Sequence, residues 1–113
     1  MKKLIIAAFM FVSTFTSNVF ADGHAIKMGI ILGFTGPIES LTPAMAASAE
    51  LAFKEASDSG SLLGGKKIEV VRADSTCVDS AAATAAAEGV IAQGVAAIMG
   101  ADCSGVTGAI ASN

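Results

Sequence analysis

The sequence has no tryptophan, no tyrosine and a single histidine, so it offers few side chains for stacking on bases or for acid–base catalysis. Positive charge is also scarce, because seven lysine and arginine residues stand against ten aspartate and glutamate residues. An acidic chain of this kind lacks the basic surface that neutralises nucleic-acid phosphates. The composition therefore argues against a nucleic-acid partner.

Long apolar runs are absent as well. The run from Leu4 to Val12 is well short of the roughly 20 residues that span a bilayer, and Lys2 and Lys3 precede it. The segment 19–21, Val-Phe-Ala, has the small-x-small pattern of a cleavage site. These features predict a cleaved signal peptide over residues 1–21 and a soluble product in the periplasm, with a retained membrane helix as the weaker alternative. No cysteine follows the cleavage site, so a lipid anchor is not expected.

Motifs for enzyme chemistry are missing or incomplete. The segment 60–67 nearly matches a phosphate-binding loop, but Lys67 stands where Ser or Thr would bind magnesium, and a strand pattern follows it. No GxGxxG follows the first apolar run, and no GxSxG is present. Neither CxxC nor HxxxH spacing occurs. We therefore expect no enzyme, no cofactor and no metal site.

Three apolar segments predict the strands of a parallel sheet. The nearly continuous run 26–34 is typical of a strand covered on both faces, and so is the run 95–99. In the segment 67–74 polar and apolar residues alternate, which favours an edge strand. The three strands are expected in the spatial order 2-1-3.

Helices are predicted after each strand. Thr42 as N-cap and Pro43 at the first helical position start a helix that runs to about Ser57, with Glu50 and Lys54 as an i,i+4 ion pair. Its predicted buried stripe is Met45, Ala49, Ala52, Phe53 and Ala56. Asp79 is the expected N-cap of a second helix, whose predicted stripe is Ala83, Ala86, Ala87, Val90 and Ile91.

Alternating strands and helices predict an α/β fold, a three-layer, doubly wound parallel sheet. The order 2-1-3 makes the loops 35–42 and 102–105 neighbours at the carboxyl ends of the strands, where such sheets bind ligands. A third helix starting near Ser104 would direct its free amides at a carboxylate or another small anion. Residues 106–113 have the pattern of a helix that has only begun, so we expect the sheet to be incomplete.

Cys77 and Cys103 are the only cysteines, and each follows a predicted strand at the same edge of the sheet. In an exported chain this favours a disulfide, which would stabilise the fold by roughly 3 to 4 kcal/mol by closing a loop of about 27 residues. Two free thiols are the alternative. Zinc is disfavoured because His24 lies in the N-terminal segment of the mature chain.

Two polar residues of the third loop have open roles. Ser104 is expected to cap the helix that follows, either as its only role or while it also binds a ligand carboxylate together with the amides of Gly105 and Val106. Asp102 is expected to be a solvated loop residue, because no partner for acid–base chemistry can be identified.

Four segments in this order resemble a known family. They are Thr35-Gly36-Pro37, Gly64-Gly65-Lys66-Lys67, Ala73-Asp74 with Cys77, and Gly100 through Cys103-Ser104-Gly105. From about residue 27 to residue 113 the chain is similar to the periplasmic binding proteins of branched-chain amino-acid ABC transporters, which have the type I fold. Residues 22–113 would then be the N-terminal part of the first lobe.

The resemblance implies several roles. Cys77 and Cys103 match the family's first-lobe disulfide, and Ser104 matches a serine that contacts the ligand's α-carboxylate. Leu41 stands where many members place an aromatic side chain against the ligand. The expected ligand-binding residues are therefore Leu41, Cys103, Ser104 and Gly105. Leu41-Thr42-Pro43 departs from the usual aromatic-glycine pair, so the identity of the solute stays open.

The implied function is that of an exported, monomeric solute-binding protein that binds an amino acid or a similar small carboxylate and delivers it to the membrane permease of an ABC transporter. A ligand-sensing domain of the same fold is one alternative. An exported flavodoxin-like or hydrolase-like α/β enzyme is the alternative from another class.

Overall fold

The computed structural model describes residues 25–113, so the predicted signal peptide and His24 lie outside the described residues. Strands and helices alternate along the described chain. They are β1 Ile26–Leu32, α1 Thr42–Asp58, a 3₁₀ turn Leu62–Gly64, β2 Ile68–Asp74, α2 Ser80–Ile91, β3 Ala97–Gly100 and α3 Ser104–Ala111. All strand pairs are parallel and the order is β2-β1-β3, which confirms the predicted α/β class and strand order.

β1 is the centre of the sheet and of the core. Ile30, Ile31 and Leu32 are at most 1% exposed, because β1 has a strand on each side and helices on both faces. Successive side chains of a strand point to opposite faces. Ile30 and Leu32 accordingly pack with α1, and Ile31 packs with α2. The continuous apolar run therefore predicted the right position for this strand.

The α1 face is built around Ala46, which is fully buried against Ile30 and Leu32. The predicted stripe is wrong at Met45, which is 43% exposed, and at Ala52, which is also exposed. The buried face instead starts at Thr42, because its hydroxyl donates to the Gly33 carbonyl oxygen at 3.0 Å and turns that side of the helix toward the sheet. It continues along the helix through Ala46, Ala49, Phe53 and Ser57.

The opposite face of the sheet carries α2 and α3, so the molecule has three layers. Ala83, Ala87 and Val90 of α2 are buried, as predicted, and Ile110 of α3 packs against the cluster formed by Ile31, Ala87 and Val90. Ile91 is 60% exposed, against the prediction. It lies one residue beyond Val90, about 100° further around the helix, which takes it off the narrow face that contacts the sheet.

Charged residues on α1 pair differently from the prediction. Glu50 accepts two hydrogen bonds from Arg72 on β2, at 2.6 and 2.7 Å, and Lys54 pairs with Asp58. The planar guanidinium of Arg72 matches a carboxylate with two parallel bonds, which lysine does not. Arg72 also lies over the ring of Phe34, 5.6 Å from its centroid. The link between α1 and the edge strand therefore replaces the expected contact within the helix.

The two outer strands of the described sheet differ from each other. β2 is half-polar, as predicted for an edge, with Glu69 and Arg72 exposed. β3 begins at Ala97, two residues later than predicted, and among residues 25–113 it pairs with β1 alone. Ala97 is exposed and Ile98 and Met99 are only partly buried. Within this range no helix is long and apolar enough to cross a bilayer.

Candidate functional site

The three loops that follow β1, β2 and β3 lie at one end of the sheet because the strands are parallel. We call this end the carboxyl edge and define it by residues 33–41, 75–79 and 101–105. Two of the predicted ligand-binding regions, the loop 35–42 and the loop 102–105, begin here. The part of the chain that the structure describes has no enclosed pocket, so the carboxyl edge is an open surface.

Asp102 ties the ends of the strands together. Its Oδ2 accepts a hydrogen bond from the Gly33 N–H at 2.9 Å, and its Oδ1 accepts a longer one from the Ser75 hydroxyl at 3.5 Å. Ser75 is fully buried, and its own N–H donates to the Leu32 carbonyl oxygen at 2.9 Å. The prediction of a solvated Asp102 is wrong, because this carboxylate is partly buried and is held by groups that follow β1 and β2.

Asp74, at the end of β2, holds the β1 loop. Its carboxylate accepts hydrogen bonds from the Thr35 hydroxyl at 2.5 Å, from the Thr35 N–H at 3.2 Å and from the Thr76 N–H at 2.8 Å. Partial burial by itself would raise the pKa of Asp74, but the hydrogen bonds donated by Thr35, Thr76 and Phe34 outweigh it and lower the pKa below its ordinary value. Asp74 is therefore held as a carboxylate that joins two loops.

Gly36 lies where these two loops touch. Its φ is +94°, and a Cβ built on it would lie 2.4 Å from the Thr76 carbonyl oxygen. Only glycine fits such a backbone position without strain or displacement. The Thr35-Gly36 pair and Asp74, which were noted in sequence as separate segments, thus form one contact.

The disulfide between Cys77 and Cys103 is present, as predicted, with the two Cα atoms 5.3 Å apart. It joins the loop after β2 to the loop after β3, and no free cysteine remains. Two consecutive residues of this loop are therefore attached to neighbouring loops, Asp102 by its hydrogen bonds and Cys103 by its bond to Cys77. The backbone that leads into α3 is fixed to both neighbouring loops.

Ser104 is not the N-cap of α3. The N-cap is Cys103, without a side-chain capping bond, and Ser104 is the first helical residue. The cap prediction is wrong because α3 starts directly at the residue that the disulfide fixes. Ser104 and Gly105 are both exposed, and no atom lies within 4 Å of the place where a Cβ on Gly105 would be. The amides of the first turn have no partner within a helix, so this surface can donate hydrogen bonds to an anion.

Leu41 lies at the start of α1, where it is the N-cap and is 60% exposed. Thr42, the predicted N-cap, is instead the first helical residue, because its hydroxyl is used by the Gly33 carbonyl oxygen. The structure brings Cys103, Ser104 and Gly105 together in one turn. It places Leu41 on the helix that covers the opposite face of the sheet.

Sequence reasoning missed Thr42 and Asp102 as organising residues. Both residues flank loops of small residues next to strand ends. The backbone N–H and C=O groups at a strand end need hydrogen-bond partners, so a polar side chain at such a position is a usable signal. Asp79 was recognised correctly, since its side chain caps α2 by accepting from the N–H groups of Ala81 and Ala82 at 2.9 and 3.0 Å.

One other segment singled out in the sequence lies away from this edge. The segment 60–67 forms the 3₁₀ turn and the entry to β2 at the other end of the sheet, and not the strand-to-helix loop that phosphate binding requires. Among residues 25–113 no group of three or more histidine, cysteine, aspartate or glutamate side chains is arranged to hold a metal ion. The chemistry offered at the carboxyl edge is hydrogen bonding by backbone amides and hydroxyls.

The sequence was compared with curated proteins and with models of protein families. A search of curated proteins finds no matching sequence. A family model described as periplasmic binding protein matches residues 25–113, which include all the strands and helices described above. Proteins of this family are in general binding proteins and not enzymes, which suggests a solute-binding role. The parallel sheet, its three linked loops and this match together show that the chain belongs to the periplasmic binding protein family.

Proposed function

We propose that the chain is part of an exported solute-binding protein that binds an amino acid or a similar small carboxylate and delivers it to the permease of an ABC transporter. The observation that carries the proposal is the start of α3. Ser104 and Gly105 are exposed there, at the carboxyl edge, beside amides that have no helical partner. A helix N-terminus of this kind favours a negatively charged group, because the backbone dipoles point toward it.

The rigidity of this turn supports the same proposal. The disulfide of Cys103 and the hydrogen bonds of Asp102 hold the backbone just before Ser104. A binding group that is already fixed in position loses less conformational entropy when the ligand arrives. We therefore expect Ser104 to contact the carboxylate through its hydroxyl, and Cys103 and Gly105 to contribute backbone groups.

The other end of the ligand would meet a different surface. Leu41 is an exposed apolar side chain at the start of α1. Its aliphatic side chain suits an aliphatic part of the solute better than a polar one. Ligands of this shape, with a carboxylate at one end and an aliphatic group at the other, include branched-chain amino acids.

We further propose that residues 22–113 are the N-terminal part of a first lobe, with the rest of the cleft supplied by a second lobe. β3 supports this, because it pairs on one side only within the described range and leaves Ala97 exposed. The open carboxyl edge supports it too, since small-molecule sites bury most of the ligand surface. Two lobes that close around the solute would provide that burial.

Export to the periplasm is part of the proposal. The pattern of residues 1–21 supports a cleaved signal peptide. The Cys77–Cys103 disulfide supports an oxidising compartment, where such bonds form and persist. We expect the mature protein to act as a monomer.

The test uses the protein encoded by the complete gene. The probes are the twenty L-amino acids, each compared with its α-amide, which lacks the negative charge. We expect at least one amino acid to bind and its amide to bind much more weakly. Ser104→Ala should weaken binding of that amino acid by about tenfold or more, the usual effect of losing a hydrogen bond to a charged group.

Ser80→Ala is the matched control, because Ser80 is the exposed first residue of α2 as Ser104 is of α3. It should leave affinity unchanged. Equal affinities of the parent and Ser104→Ala for every amino acid in the panel would contradict the proposed site. Uptake of the bound amino acid by cells with and without the gene then separates transport from sensing.

A further inference from the structure

Asp102 lies two residues before Ser104, in the short loop that connects β3 with α3. Its two carboxylate oxygens reach the Gly33 N–H at 2.9 Å and the Ser75 hydroxyl at 3.5 Å. Gly33 follows β1 and Ser75 follows β2. A single side chain of the third loop thus contacts the ends of both other described strands.

The disulfide attaches the next residue. Asp102 is hydrogen-bonded to Gly33 after β1 and to Ser75 after β2, and Cys103 is covalently bonded to Cys77 after β2. One attachment leaves a loop free to rotate about it, whereas two consecutive attachments to different strands remove that rotation. The direction in which the first turn of α3 leaves the sheet is therefore set by both residues and not by the disulfide alone.

The carboxylate of Asp102 contacts groups at the ends of β1 and β2. The shorter of its two hydrogen bonds joins a carboxylate to a backbone N–H, a charge-assisted type that is roughly twice as strong as a neutral one. None of the salt bridges found among residues 25–113 involves Asp102. Its role at this edge is thus to accept hydrogen bonds from the strand ends and not to form an ion pair.

We propose that Asp102 is a positioning residue that fixes the orientation of Ser104 and Gly105 toward the ligand carboxylate. This inference rests on the proposed function for its consequence in binding, but the placement of the turn can be measured without any ligand. Asparagine at this position can preserve both contacts, because its oxygen accepts from Gly33 and its amide nitrogen can donate to the Ser75 oxygen. Alanine cannot, and glutamate keeps the charge but is one methylene too long for the same geometry.

The experiment measures backbone amide hydrogen exchange in the full-length protein with the disulfide intact, for the parent and for Asp102→Ala, Asp102→Glu and Asp102→Asn. We expect two protected amides to exchange about tenfold faster or more in the Ala and Glu variants. They are the Thr107 N–H at the start of α3, which donates to the Cys103 carbonyl oxygen at 2.9 Å, and the Gly33 N–H, which donates to Asp102. In the Asn variant they should exchange as in the parent. Exchange at Ala46 and Val90, which are buried in the two core clusters, should be unchanged in all three.

Affinity for the amino acid found in the panel is the second readout. It should fall by about tenfold in the Ala and Glu variants and by less than about threefold in the Asn variant. Unchanged exchange at the start of α3 in both the Ala and Glu variants would overturn the positioning role. If Asp102→Ala does not fold, the Glu and Asn variants are compared with each other. Parent-like exchange and affinity with Asn but not with Glu supports the positioning role. Parent-like values with Glu but not with Asn would mean that Asp102 acts through its charge alone.

The outcome separates the two proposals. Faster exchange in the Glu variant, with no amino acid bound by the parent, would support the positioning of the turn and contradict the proposed ligand. Normal exchange in all variants, with Ser104→Ala impaired in binding, would leave the ligand site in place and reject Asp102 as its positioning residue.

Discussion

The two ends of the sheet are built differently. At the carboxyl edge, side chains and a disulfide join loops that are far apart in sequence, as in the bonds Gly33–Asp102 and Thr35–Asp74. At the opposite end, which we call the amino edge and define by residues 59–67 and 92–96, the side-chain contacts include exposed ion pairs such as Lys67–Asp58. The glycines differ in the same way. A Cβ on Gly36 would lie 2.4 Å from a carbonyl oxygen, whereas a Cβ on Gly94 would have no neighbour within 4 Å.

The two ends of the sheet should therefore differ in how well their contacts tolerate substitution. Exposed ion pairs contribute little to stability and tolerate change, because water screens them and long side chains lose entropy in forming them. Partly buried hydrogen bonds to a carboxylate and close backbone contacts tolerate little change. Gly36, the crowded glycine of the pair compared above, lies at the edge that carries Ser104, and Gly94 at the amino edge serves as its control.

The largest expected effect comes from removing the link that is found only at the carboxyl edge. The variant with Cys77→Ser and Cys103→Ser should lose about 3 to 4 kcal/mol of the free energy of unfolding, because the disulfide closes a loop in the unfolded chain. Urea unfolding of the exported protein measures this loss. The parent in reductant should behave like the variant. Two titratable thiols in the denatured, unreduced parent would contradict the bond.

A pair of glycine substitutions compares the two edges directly. Gly36 and Gly94 have φ values of +94° and +75°, so alanine at either position has the same backbone penalty of about 1 to 2 kcal/mol. Gly36→Ala also forces its Cβ against Thr76, which should raise its total cost to about 3 kcal/mol. Thermal or urea unfolding of both variants measures the difference. Equal losses would mean that the carboxyl edge is no more tightly packed than the amino edge.

The smallest expected effect is a difference in acid sensitivity between two aspartates. Burial by itself would raise the pKa of Asp74, but the hydrogen bonds it accepts together lower that pKa. The hydrogen bond and charge of Lys54 lower the pKa of Asp58. A lowered pKa stabilises the folded state above the unfolded value of about 3.9, and this stability is lost as the pH falls through the folded value. Both aspartates should therefore contribute at neutral pH and less in acid.

The contributions should respond differently to salt. Asp74→Asn should reduce the stability lost between about pH 6 and about pH 3. The reduction should persist in about 1 M salt, because the pKa of Asp74 is lowered by neutral hydrogen-bond donors and not by a charged partner that salt would screen. Asp58→Asn should have a smaller effect that disappears in salt, since both members of its ion pair are exposed. Unfolding free energies across this pH range, with and without salt, measure both. Identical salt responses would remove the distinction between the edges.

The strands, their order and the disulfide could be predicted because apolar patterning and cysteine position report burial and topology directly. The run 26–34 is typical of a strand covered on both faces, and the alternation in 67–74 favours an edge strand. The face of α1 was harder to predict, because a helix rich in alanine has little contrast between its sides. Its rotation was decided by the hydrogen bond from Thr42 to Gly33, which sequence spacing does not reveal.

The contacts at the site were less predictable than the elements that carry them. Asp102 is 69 residues from Gly33 in the chain, and no pattern shows which distant amide lacks a partner. Glu50 likewise pairs with Arg72 across 22 residues and not with Lys54 one turn away. Contacts between elements depend on the relative placement of those elements, which the sequence specifies only through the whole fold.

Gly33 has both of its backbone polar groups taken by side chains, its N–H by Asp102 and its carbonyl oxygen by Thr42. Thr42 begins the helix on one face of the sheet, and Asp102 leads into a helix on the other face. Gly33 therefore connects the two helical layers that cover the opposite faces of the sheet. Because the same residue holds the starts of α1 and α3, a displacement of one helix start should be transmitted to the other across the sheet.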